Sequence, residues 1–300
     1  MNIDLRAKVQ SAYEKNYKKF LIIPVALLLI SITVILIQYS KTGEFIHRDI
    51  SLKGGLSVTI NLAKDINFED LESSLRTNFK DSDFVARKLT DFTTGQITGI
   101  NIEISGTSEP ELKKFLEEKL SIELTSENYS VEDVGAALGS SFFRDLIKSI
   151  IFAFLFMSIV VFAVYRKFIP ALTVIFTAVT DIIATVAVVD LLGIKISTAG
   201  IAAFLLLIGY SIDSDMLLTT KMLRRKNSPA IYEMYNAIRT GLTMTVTTLA
   251  ALILGLLFSN SIVIKQIFTI TLIGLIIDII ATYLGNAPIL LWYVKKNENK

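Results

Sequence analysis

The chain has 300 residues, 52% of them hydrophobic, a net charge of +2 and no cysteine. Without cysteine there are no disulfides, thiol nucleophiles or cysteine-ligated metals. His47 is the single histidine, so a histidine metal centre or a Ser-His-Asp triad is not expected; neither is a cofactor. No Gly-x-x-x-x-Gly-Lys-Ser/Thr loop is present, which argues against ATP hydrolysis, and no basic cluster interleaved with aromatics points to nucleic acid.

The apolar residues are gathered into long runs, the pattern of membrane spans rather than of a large soluble core. Residues 1–19 are polar and basic. Residues 20–39 form the first run, which closes in Gln38-Tyr39-Ser40-Lys41 instead of a small-residue cleavage site and so reads as an uncleaved span. Five further runs follow at about 146–165, 169–191, 197–220, 240–258 and 267–293. Each is near or above the ~20 residues needed to cross the hydrocarbon core. The third and fourth are joined by a few residues around Gly193-Ile194-Lys195, which predicts a tight antiparallel hairpin.

Lys and Arg set the expected orientation. Arg6, Lys8, Lys15, Lys18 and Lys19 precede the first span, and Arg166 and Lys167 follow the second. Lys221, Arg224, Arg225, Lys226 and Arg239 follow the fourth, and Lys295, Lys296 and Lys300 close the chain. The alternate short loops hold only Lys195 and Lys265. The excess marks the cytoplasmic side, so the expectation is a multi-pass cell-membrane protein with both termini cytoplasmic and residues 41–145 outside. The predicted units are a cytoplasmic segment 1–19, a first transmembrane helix 20–39, an outer domain 40–145, a five-helix part of the bundle 146–293 and a tail 294–300.

The outer segment reads as one small α+β domain. Residues 56–62 alternate with period two as a strand, and 67–79 read as a helix capped by Asn67, with Phe68, Leu71, Leu75 and Phe79 on one stripe. Strands at 84–92 and 97–104 flank a turn at Thr93-Thr94-Gly95. Ser108-Glu109-Pro110-Glu111 offers a capping box for a helix bearing Leu112, Phe115, Leu116 and Leu120, and a last strand lies at 128–134. The order β-α-β-β-α-β predicts a ferredoxin-like split unit.

Polar residues inside the spans are the candidate functional groups. The fourth span carries Gly209-Tyr210-Ser211-Ile212-Asp213-Ser214-Asp215. A mid-bilayer carboxylate costs roughly 2.5–3.5 kcal/mol on insertion scales, and such groups usually face a protein interior or a wet cavity. Positions two apart on a helix diverge by about 200°, so Asp213 and Asp215 cannot face the same neighbour. Gly209 leaves room beside Asp213, whereas Ser211, Asp215 and Thr219 form a separate stripe. Asp181 and Asp278 fall near the middle of the third and sixth spans. Thr240, Thr243, Thr247 and Ala251 share one face of the fifth, a hydroxylated stripe able to donate to carboxylates or to hold water. Asp213, Asp215, Asp181 and Asp278 are the proton-relay candidates, with Ser211, Thr240, Thr243 and Thr247 as supporting polar groups. Asp213 leads: its neutralisation is expected to alter packing against the fifth and sixth spans. Capping of a helix end, structural hydrogen bonding within the bundle and plain threonine packing are the competing readings.

Several of these stretches resemble the SecD/SecF family of protein-export membrane proteins, in the archaeal SecF form, within the resistance-nodulation-division superfamily. Leu52-Lys53-Gly54-Gly55 is similar to the family's entry to the outer domain, with Ser51 where the family has aspartate. Val134-Gly135 through Leu138-Gly139, and Arg166 to Pro170-Ala171-Leu172, resemble the family's stretches flanking the second span. Asp181 matches the aspartate of the third span, and Ile208-Gly209-Tyr210-Ser211-Ile212 resembles the most specific SecF segment, followed here by Asp213-Ser214-Asp215. The resemblance implies a subunit that pairs with a SecD-like partner in the lipid bilayer, associates with the Sec translocon and uses the proton gradient to help a translocating polypeptide leave on the outer side. Two other classes remain: a small-molecule efflux component, and an intramembrane aspartyl protease pairing Asp213 with Asp278 or Asp181.

Overall fold

The computed structural model of the chain describes residues 16–17, 19–61, 67–80, 82, 84–90, 97–225, 228–259 and 261–298. Arg6, Lys8, Lys15, Lys18, Lys226 and Lys300, the turn at Thr93-Thr94-Gly95 and the last residues of the strands expected at 56–62 and 84–92 lie outside the described residues.

Among the described residues, six helical segments are long and apolar enough to cross a membrane. The first is α1 (Ile22–Thr42), which stops at Gly43, where a φ of 72° gives a left-handed cap. A strap carrying His47 leads to the one-turn α2 (Ile50–Lys53) and into the outer domain. That domain runs β1 (Gly55–Asn61), α3 (Phe68–Asn78), β2 (Phe84–Thr90), β3 (Ile97–Ile104), α4 (Glu109–Leu120) and β4 (Tyr129–Val134), with the sheet ordered β2-β3-β1-β4 and every pair antiparallel. This is the split ferredoxin-like unit. Leu56, Val58 and Ile60 of β1 and Ile100, Ile102 and Ile104 of β3 meet Leu71, Leu75, Leu112 and Leu116 of the two helices in one apolar core. Asn67 caps α3 through the Asp70 N–H at 3.3 Å. The capping box expected at Ser108 does not form: its side chain makes no cap bond, and the Glu111 carboxylate instead accepts from the Thr107 hydroxyl at 3.1 Å.

The Leu-Lys-Gly-Gly entry has a steric cause. Gly54 and Gly55 have φ of 91° and 142°, and a Cβ on Gly55 would lie 2.6 Å from the Ile104 carbonyl oxygen.

The remaining membrane helices are α5 (Ala136–Tyr165), α6 (Phe168–Leu191), α7 (Thr198–Leu223), α8 (Ala230–Phe258) and α9 (Ile262–Ala281), the last continuing through a π turn at Thr282–Asn286 into α10 (Ala287–Glu298). Both α5 and α8 begin ten residues before the apolar runs at 146 and 240. Gly139, in the early turns of α5, packs on the α2 backbone, where a Cβ would lie 2.8 Å from the Gly54 N. The early turns of α8 bury Ala230, Met234 and Ala237 against Leu290, Leu291 and Val294 of α10. Arg166, at a left-handed φ of 50°, and Lys167 form the whole connection between α5 and α6. The α6–α7 hairpin turns at Gly193, and Ser197 caps α7 by accepting from the Ala199 and Gly200 N–H groups.

Helix α6 is the centre of the bundle, with 61% of its most apolar stretch buried, against 11% for α1 and α5 and 17% for α8.

Candidate functional site

Three helices bring three carboxyls into the middle of the bundle. Asp181 on α6, Asp215 on α7 and Asp278 on α9 are 0%, 0% and 1% exposed. Asp215 lies eight residues before the end of α7, about 12 Å along its axis; Asp181 lies about 20 Å into α6.

Each carboxyl is held by neutral groups. Asp215 accepts from the Thr177 hydroxyl of α6, from the Thr282 hydroxyl at 3.0 Å and from the Asn286 amide at 2.7 Å. Asp278 accepts from Ser214 at 3.0 Å and from Thr282 at 3.2 Å. Asp181 accepts from Ser211 at 2.5 Å; its Oδ1 has no donor among the described residues, and the Asp278 carboxyl lies within hydrogen-bonding reach. Ser211 and Ser214, nearly one turn apart on α7, thus serve Asp181 and Asp278 from one helix face. The Thr282 hydroxyl stands between Asp215 and Asp278 and has one proton for two carboxyls.

The local backbone explains the reach of Thr282 and Asn286. They begin and end the π turn, whose Ala287 N–H bonds to the Thr282 carbonyl across five residues. The extra residue in that turn swings both side chains toward α7, and π turns of this kind recur at functional sites.

Asp213 does not join the three. Its side chain is exposed on the far side of α7, where it borders a cavity of about 110 Å³ with Tyr210, Gly241, Met244 and Thr248. This agrees with the 200° separation from Asp215, and Gly209 opens the surface beside it. The expected threonine stripe also lies apart from the carboxyls. Thr240, Thr243 and Thr247 donate to the Asn236, Arg239 and Thr243 carbonyls of their own helix at 2.8 Å, and Thr240 accepts from Lys221 at 2.9 Å. A helical threonine satisfies its hydroxyl on the carbonyl four residues back, so the stripe needs no carboxylate and lines an open groove instead. Thr177, Ser214, Thr282 and Asn286, which do touch the carboxyls, were not singled out from the sequence. Their signal was spacing: Thr177 is four residues before Asp181, and Thr282 and Asn286 are four and eight after Asp278.

No chelating set of three acidic or imidazole groups occurs among the described residues. Buried carboxyls held by hydroxyls and an amide are suited to holding and passing protons, and offer no nucleophile activated by a base.

Six membrane-crossing helices beneath a split β-α-β-β-α-β domain, with carboxyls in the bundle interior, define a class of multi-pass membrane protein. The fold is that of Thermus thermophilus SecDF, described as a translocon-associated membrane protein, with a TM-score of 0.69 over 96% of this chain at 17% identity. This chain spans 38% of that longer one, and the super-membrane-facing form of SecDF matches with a TM-score of 0.52. Residues 115–296 match the family described as protein export membrane protein SecD/SecF, C-terminal. The protein-export membrane protein SecF of Methanocaldococcus jannaschii is 35% identical over 95% of this chain and 99% of its own length. That of Pyrococcus furiosus is 32% identical over 99% of this chain and 97% of its own. The chain belongs to the SecF family of protein-export membrane proteins. These relatives favour neither small-molecule efflux nor intramembrane proteolysis.

Proposed function

We propose that this chain is the SecF-like half of a SecD/SecF-type assembly that assists Sec-dependent export, and that Asp215, Asp278 and Asp181 relay the protons that drive it. The observation that carries the reading is the cluster itself: three carboxyls buried inside the bundle and held, among the described residues, by neutral donors. Like charges at this proximity without a cation are tolerable only when part of the set carries protons. A proton on Asp215 can be donated to the Thr282 oxygen while Thr282 donates its own to Asp278, and Asp278 adjoins Asp181. The chain of groups therefore spans from about 12 Å to about 20 Å above the inner helix ends. One charge crossing 100 mV is worth about 2.3 kcal/mol, enough to bias a two-state packing arrangement nearly fiftyfold.

In this reading the termini are cytoplasmic and the α+β domain lies outside, as the Lys and Arg distribution indicates. Asp213 and the open threonine groove of α8 then form the face for a SecD-like partner, because lipid offers nothing to an exposed carboxylate at this depth. The outer domain, moved by repacking of α7 and α9, holds the emerging polypeptide near the Sec translocon.

The test replaces Asp215 and Asp278 singly by Asn and measures export of a Sec substrate in cells at matched protein levels. Export stimulated by the proton gradient should fall at least tenfold in each. Wild-type export in both variants would remove the relay.

A further inference from the structure

Between the outer domain and the bundle lies a cleft of about 320 Å³, space for roughly ten waters at ~30 Å³ each. Its roof is the face of the sheet turned away from α3 and α4. Alternation along the strands puts Ser57 and Thr59 of β1, and Asn101 and Glu103 of β3, on this side. Such a face is ordinarily solvated, yet Asn101 and Glu103 are only 5% and 6% exposed. They are covered because the sheet sits over the outer ends of α7 and α9, where Thr198 and Gln266 form the floor.

Among the described residues, two buried acceptors in the wall of this cleft have no donor. The Asn101 amide donates to Ser57 at 3.3 Å and Thr59 at 3.1 Å, which leaves its Oδ1 bare. Glu103 Oε1 accepts from Arg87 at 2.5 Å, which leaves Oε2 bare. Asp49 and Glu132 add two more carboxylates to the walls, and among the described residues no lining side chain is basic. Arg87 is committed to Glu103 from the β2 side, and Lys195 acts on Glu103 from outside the lining. Burial raises the Glu103 pKa from its ordinary value, with the charge of Asp49 adding to the effect. Carboxylates around a cleft attract cations and repel anions, and the two bare oxygens, themselves buried in its wall, add to that field. Since no three such groups converge to chelate a metal among the described residues, the cation is held with its water.

We propose that this cleft is a water-filled vestibule selective for small cations, and that it is the outer mouth by which the coupling cation approaches the buried carboxyls. The second half rests on the export reading above. Phe204, Leu207 and Ile270, all buried, fill the bundle beneath the floor, and Leu207 packs so closely on Gly274 that a Cβ there would overlap it. The distance from Ala199 down to Ser211 is about 18 Å of helix. The vestibule thus collects cations above an apolar plug, and α7 and α9 must part for one to descend.

The absence of cysteine makes the test direct. Thr59→Cys or Ser57→Cys, in the full chain with its partner in membrane vesicles, is reacted with a cationic and with an anionic methanethiosulfonate of similar size; the exposed Asn61→Cys serves as reference. Normalised to Asn61→Cys, the cationic reagent should react about tenfold faster than the anionic one, and Glu103→Gln with Glu132→Gln, which leaves Asp49, should cut that preference severalfold. Equal rates, an anionic preference or inertness of both cleft cysteines to both reagents would overturn the vestibule. Asp215→Asn should stop coupling and leave the preference intact, which separates failure of the relay from failure of the vestibule. The mouth assignment is overturned if Glu103→Gln with Glu132→Gln leaves the driving-cation concentration for half-maximal export unchanged; a severalfold increase supports it.

Discussion

The outer domain and the membrane bundle both bury apolar side chains, but only the bundle also buries a cluster of carboxyls. In the outer domain Leu and Ile fill the core between sheet and helices, and Ser57, Thr59, Asn101 and Glu103 lie on the other face of the sheet. In the bundle, Ile151, Phe152 and Phe156 of α5 and Leu29 and Ile30 of α1 point outward, while Asp181, Ser211, Asp215, Asp278, Thr282 and Asn286 occupy the centre. Burial of apolar area drives the first arrangement at roughly 25 cal/mol per Å². No such gain supports the second, because burying a carboxyl costs free energy even when it is hydrogen-bonded. The difference teaches that the outer core is explained by folding, whereas the bundle centre needs a function to explain it.

The contrast breaks most visibly under truncation. Leu116→Ala or Leu75→Ala in the outer core should cost about 2–5 kcal/mol, read as a lowered melting temperature of the purified full chain. Asp278→Leu, a polar-to-apolar change of similar bulk in the bundle, should leave stability within about 1 kcal/mol or raise it, and yet abolish proton-stimulated export. If Asp278→Leu instead unfolds the protein as Leu116→Ala does, the cluster is structural. Smaller in stability but specific to the relay is Thr282→Val. It keeps the volume and removes the hydroxyl between Asp215 and Asp278, so coupled export should slow severalfold while the melting temperature changes little.

Glu103 sharpens the comparison from the outer side. Its folded-state pKa is raised by burial, so the folded form binds more protons than the unfolded one between the two values. Stability is therefore full below the ordinary pKa of about 4.5 and declines as pH rises through the raised value. Thermal melts of the wild type should show that decline, and Glu103→Gln should flatten it. The smallest effect belongs to Thr243→Val and Thr247→Val. Their hydroxyls are satisfied on their own helix, so the isolated subunit should change by no more than about 0.5 kcal/mol. Any loss should show only in pairing with a partner, measured by copurification.

The outer domain was nearly all legible in the sequence, because period-two strands and a 3.6-residue helical stripe alternate and Asn67 marks a helix start. The box at Ser108 failed since Thr107 competed for Glu111, a choice that depends on side-chain rotamers. The spans were legible as apolar runs, but α5 and α8 start earlier because their first turns pack on α2 and α10 instead of meeting lipid. The aspartates stood out as carboxylates in apolar surroundings. Helix geometry separated Asp213 from Asp215, but not which of them faces inward, since that depends on the rotation of α7 against α6 and α9. The π turn was hidden, because the residues Thr282-Tyr283-Leu284-Gly285-Asn286 are compatible with ordinary helix.

Proton exchange by the buried carboxyls is tested most directly by infrared difference spectroscopy of the purified assembly across a pH titration, following the carbonyl stretch of protonated carboxyls. Wild-type protein should show a titrating protonated-carboxyl band that shrinks in both Asp215→Asn and Asp278→Asn and is kept in Asp213→Asn. A band that is absent, or unchanged in the first two variants, would contradict a proton relay at this cluster.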